Sequence, residues 1–139
     1  PGDRGVQVVE LGDLRVGLMT CYDLRFPELA RALAVQDADL IAVPAAWFKG
    51  EHKIDHWETL LKARAIENTV WVAAAGTASG HTIGHSAILD PMGVPQVFLG
   101  EESEAVATAD VVRTRIEEVR EYLPVLANRR FAAAEEIAP

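Results

Sequence analysis

The sequence predicts an α/β fold, and three observations carry that prediction. Short apolar runs of strand character lie at residues 16–19, 39–43 and 69–75. Helical patterns separate them at residues 27–36 and 55–67. Strand, helix and strand in that order form a βαβ unit with a parallel crossover. At 139 residues, half of them hydrophobic, the chain suits one domain with a substantial core.

Residues 6–20 read as two short strands about the turn-type pair Gly12-Asp13, the second leading into Cys21. Pro27 opens the first helix, where its missing N–H would be unpaired anyway, and it pushes Phe26 toward extended geometry. Residues 22–26 must therefore turn sharply. Asp39 to Val43 is a strand stopped by Pro44. Residues 48–53 are a polar loop, and Trp57, Leu60, Leu61, Ala65 and Ile66 suit an amphipathic helix capped by Asp55. A strand at 69–75 ends at Gly76, and residues 76–84 have loop composition. An antiparallel meander is expected at 86–89, 94–99 and 105–109, with a type I turn at Asp90-Pro91-Met92-Gly93. Residues 111–122 read as a charged helix and 132–139 as a tail.

In an α/β sheet ligands gather outside the carboxyl ends of the strands. Cys21 and Ala45-Ala46-Trp47 both fall at such ends, so they should face one pocket. A thiol on a sharp strand-to-helix turn is exposed beside backbone N–H groups and the positive end of a helix dipole, which suits a nucleophile. By position alone, a lone Cys also fits a small buried hydrophobe. Arg25 is open to two roles: a fork for a substrate carboxylate, or a brace for a nearby acid. Asp23 and Glu28 suit fixing the turn, and Trp47 and Phe48 suit either a pocket wall or plain core. Arg64 and Glu67 stand i, i+3 and should pair with each other.

The stretch Cys21-Tyr22-Asp23-Leu24-Arg25-Phe26-Pro27-Glu28-Leu29 resembles the nucleophile motif of the nitrilase superfamily, the carbon–nitrogen hydrolases. The likeness continues through Pro44-Ala45-Ala46-Trp47, His56-Trp57, Arg64-Ala65-Ile66-Glu67-Asn68, Gly84-His85-Ser86, Asp90-Pro91-Met92-Gly93 and Leu123-Pro124-Val125 before Arg129-Arg130. These follow the family order from near residue 10 to about 131, with the Nit-type amidase branch nearest in look. The resemblance implies that residues 1–131 are the C-terminal portion of one four-layer α-β-β-α domain. It implies Cys21 as nucleophile, the Tyr22 N–H as oxyanion donor, and Arg25, Ala45, Ala46 and Trp47 at the substrate. The family's Glu and Lys lie well upstream of the Cys. Here Glu10 is the one Glu before Cys21, no Lys precedes it, and Glu10 matches no motif.

The implied chemistry is hydrolysis of a C–N bond in a small amide, most simply a carboxylate-bearing ω-amide, through a thioester and without cofactor. A nitrilase or N-carbamoyl hydrolase would share the nucleophile, and a chain lacking Glu and Lys could instead be a non-enzymatic binding subunit. Relatives dimerise through helices of this half, so a homodimer or larger even-numbered assembly is expected. The net charge of −8 argues against nucleic acid or an anionic membrane as main partner. His52 and His56 stand i, i+4 without an evident third ligand, and His81 and His85 share that spacing across a glycine in a strand or loop that would separate them, so no metal is expected. One cysteine suits a reducing compartment, and the cytoplasm is the expected location.

Overall fold

The computed structural model describes residues 5–102 and 104–132. The elements in order are β1 (Val8–Leu11), β2 (Leu14–Leu18), a 3₁₀ turn (Cys21–Arg25), α1 (Pro27–Val35), β3 (Leu40–Ala45), α2 (Lys53–Asn68), β4 (Trp71–Gly76), β5 (Ala87–Leu89), β6 (Pro95–Phe98) and α3 (Arg113–Tyr122). The six strands form one sheet in sequence order. β2, β3 and β4 are parallel, and antiparallel pairs β1/β2, β4/β5 and β5/β6 flank them. The expected βαβ crossover is present twice, through α1 and through α2.

Strand alternation decides which residues meet the helices. Ile41, Val43 and Ala45 of β3, with Val72 and Ala74 of β4, bury into one core with Leu33, Trp57, Leu61 and Ala65. At Gly17 of β2 an added Cβ would lie 2.9 Å from the Leu33 side chain, so α1 packs directly on backbone there. The opposite face is apolar yet open: Leu18, Pro44 and Ala75 are exposed, and Ala42, Ala73 and Ile88 are only partly covered. A four-layer sandwich needs a second sheet on such a face.

α3 is fastened across the edge where β3 and β4 begin. Arg113 pairs with Asp39 at 3.2 Å, Arg115 with Asp90 at 3.0 Å, and the Arg120 Nε donates to Thr69 Oγ1. Asp90 also organises its turn. Its carbonyl accepts the Gly93 N–H, and its carboxylate accepts the N–H groups of Met92 and Val94. Gly93 has φ +73°, a conformation that favours glycine.

Four expectations change. β3 does not stop at Pro44; it continues to Ala45. Met19 N–H donates to the Ala42 carbonyl, so the Pro44 nitrogen, two residues on, points the same way and passes the end of β2. No ladder bond is lost. Residues 105–109 form no strand, because that segment pairs with none of the others, and Val106 is 92% exposed. α2 starts at Lys53 behind a left-handed His52, so Asp55 sits in its first turn and does not cap it. Thr69 ends α2 in the left-handed region, and β4 begins only at Trp71. Of the expected tail, residues 133–139 lie outside the described residues. No helix among the described residues is long and apolar enough to cross a membrane.

Candidate active site

Three parallel strands end on one edge of the sheet, which brings Cys21, Ala45-Ala46-Trp47 and Gly76 to that edge. Cys21 is half-buried at the start of the 3₁₀ turn and packs against the margin of the core. Its φ is +49°, a region that L-residues with a side chain rarely occupy. Such a conformation persists only where the surroundings impose it, and it collects at functional turns. The turn leaves the N–H groups of Cys21 and Tyr22 without acceptors inside it, since 3₁₀ bonds begin one turn later.

The surroundings that impose this bend are visible. The Asp23 carboxylate accepts the Thr20 N–H at 2.8 Å, and the Asp23 N–H donates to the Thr20 carbonyl. Asp23 thus closes the turn, as expected of it. At the far end the buried Arg64 of α2 donates twice to the Leu24 carbonyl, at 3.1 and 2.7 Å. Arg64 also pairs with Glu67 at 2.9 Å. The i, i+3 pairing was legible in sequence, whereas the longer reach to Leu24 was not. It makes α2 the anchor of the cysteine turn.

Of the other candidate residues, Ala46 is exposed and Ala45 and Trp47 are buried. The Trp47 indole lies beneath the edge: its N–H donates to the Lys53 carbonyl at 2.9 Å, and its ring meets Trp57 at 5.2 Å. Arg25 has no carboxylate within ion-pair distance among the described residues. Its guanidinium lies 4.8 Å from the Trp47 ring centroid and 6.0 Å from that of Tyr22. Among the described residues, then, no acid braces it. Phe48 is exposed and bridges to Thr82, which brings the 76–84 loop alongside.

The histidines separate. His52 turns to Asp55 and Glu51, while His85 Nδ1 meets Glu58 at 3.1 Å and the His85 carbonyl accepts the Trp57 N–H. No group of three potential ligands gathers among the described residues. Depressions of about 210, 440 and 240 Å³ lie between α2 and β5–β6, beside α3, and around Gly76 and Gly84. None of these three is lined by Cys21.

Residues 1–121 match the carbon-nitrogen hydrolase family. The chain belongs to that family. It is 48% identical over 131 residues to the deaminated glutathione amidase of Escherichia coli O157:H7, covering 94% of this chain and 50% of that protein. The crystal structure of Saccharomyces cerevisiae Nit3, of branch 10 of the nitrilase superfamily, superposes with a TM-score of 0.84 at 32% identity. That match covers 94% of this chain and 49% of Nit3. A mutant amidase from Nesterenkonia sp., bearing an acetamide moiety covalently added at its active-site cysteine, matches with a TM-score of 0.66 at 36% identity. There 73% of this chain and 40% of the amidase are covered. The chain thus spans about half the length of these relatives. Its mixed α/β sheet is that of the nitrilase-superfamily folds, and several of its relatives are named as amidases.

Proposed function

We propose that the complete protein hydrolyses a small amide carrying a carboxylate, with Cys21 as nucleophile and residues 1–131 as the C-terminal portion of a single domain. The observation that carries this reading is the left-handed Cys21 at the carboxyl edge of the parallel strands, beside N–H groups of Cys21 and Tyr22 that no acceptor among the described residues takes. The sulfur bonds to the amide carbon, and the Tyr22 N–H steadies the oxyanion that forms. The C–N bond then breaks and ammonia or an amine leaves with a proton. Water attacks the thioester, the acid departs and the thiol returns. The Glu that moves protons and the Lys that completes the oxyanion site belong to the remainder of the domain, whose second sheet would cover the open face holding Leu18, Pro44 and Ala75.

Arg25, with no acidic partner in reach among the described residues, is the fork for the substrate carboxylate. Deaminated glutathione is one amide of this class, suggested by the relatives' names. Ala46 borders the site, with Ala45 and Trp47 as its floor. The protein works without cofactor in the cytoplasm, as an even-numbered assembly through the helical layer where Val35 and Ile66 are exposed.

The test uses the complete protein, quenched in acid during turnover of succinamate and analysed by peptide mass. A succinyl adduct on the peptide containing Cys21 is the expected result. Steady turnover with that peptide never modified would sink the reading.

A further inference from the structure

We infer that Lys53 is a second anion anchor, which together with Arg25 selects amides bearing two carboxylates. This rests on the amidase reading above and extends it to a residue outside the motif. Lys53 Nζ lies 4.9 Å from the Trp47 ring centroid, and Arg25 Cζ lies 4.8 Å from the same point. Two cations from different elements, the 3₁₀ turn and the start of α2, therefore converge on one buried indole.

Like charges brought together without an acid between them raise each other's energy. Here the acids nearby are occupied elsewhere. Asp23 is held by the Thr20 N–H, and Glu51 and Asp55 turn to His52. Among the described residues neither Arg25 nor Lys53 has a carboxylate within ion-pair distance, whereas Lys49 pairs with Glu101 at 2.7 Å. The indole offers each cation its π-face, which is weaker than an ion pair, and no hydrogen bond among the described residues claims the side-chain N–H groups of either. The Trp47 N–H to the Lys53 carbonyl fixes the base of the lysine, so the convergence is built into the backbone.

A dianion spanning the two cations would neutralise both and orient an amide between them toward Cys21, four residues before Arg25. The guanidinium fork suits bidentate contact with one carboxylate, and the ammonium suits a point contact with the other. Lys53 is thus a specificity-determining residue, acting on binding and not on bond making.

The experiment compares three amides on the complete protein: butyramide with no carboxylate, succinamate with one and N-succinylglycine with two. Lys53→Ala should raise the KM for N-succinylglycine about tenfold more than for butyramide, with kcat for the dianion within about threefold. Lys53→Arg should restore the preference to within about threefold of the parent. Equal KM changes for all three amides would overturn the inference. Calorimetric binding of N-succinylglycine to the Cys21→Ala protein separates this claim from the hydrolase reading. A roughly tenfold weakening on adding Lys53→Ala upholds the anchor even if no amide is turned over. Unaltered affinity, or no binding at all, refutes it.

Discussion

The two edges of the parallel strands are built on opposite plans. Where β3 and β4 begin, the carboxylates are satisfied. Asp39 receives the Arg15 N–H and Arg113, and Asp90 receives two backbone N–H groups and both donors of the Arg115 fork. Where the same strands end, Arg25 and Lys53 face an indole, Cys21 stands in a strained conformation, and no acceptor among the described residues takes the first N–H groups of the turn. One edge fastens α3 to the sheet. The other is held through Arg64 and Asp23, while its thiol and its cations have no ion-pair partner among the described residues. The lesson is that stability and chemistry draw on the same residue types, and what separates them is whether partners are already in place.

That contrast can be broken most severely at Cys21. Cys21→Ala in the complete protein should lower amide turnover by at least about 10⁴-fold. Its thermal midpoint should hold, because the thiol packs only at the core margin. Retained amidase activity would remove the sulfur from the chemistry. Next in size is the opposite edge. Asp90→Ala leaves Arg115 with only Glu118 and strands two N–H groups, and should cost about 3 kcal/mol in urea unfolding. A loss below about 1 kcal/mol would mean that this edge does not depend on its ion pairs.

Arg64→Met tests the bridge between the two plans. It leaves the Leu24 carbonyl without its buried donors and should cost about 2 kcal/mol. Because the cysteine turn loosens as well, kcat should fall together with stability. An unchanged kcat would show that the turn holds its shape without α2. The smallest effect is expected from Arg25→Lys, which keeps the charge and loses the fork. It should raise the KM for succinamate about tenfold relative to butyramide. Equal changes for both amides would argue for a structural Arg25.

Much of this was readable in particular residues. Pro27 after a strand-like run announced the sharp turn that bears Cys21, and Gly12-Asp13 and Asp90-Pro91-Met92-Gly93 announced the two turns now seen. Pro44 misled, because whether a proline ends a strand depends on which neighbour its nitrogen would have faced, and β2 had already ended. The segment 105–109 misled in the opposite sense. Its composition tolerates a strand, but a strand exists only with a partner ladder, and none lies beside Val106. Lys53 gave no signal, since it lies in a stretch that reads as loop.

What the amino-acid order determined alone is local and periodic: where the backbone must turn, which faces are apolar, and that a thiol follows the second strand. Those follow from φ restrictions and side-chain alternation, which act over a few residues. Only tertiary structure decided that Arg64 reaches Leu24 across 40 residues and that Arg25 and Lys53 share one indole. Such pairings depend on how elements pack in space, and no short-range preference encodes them.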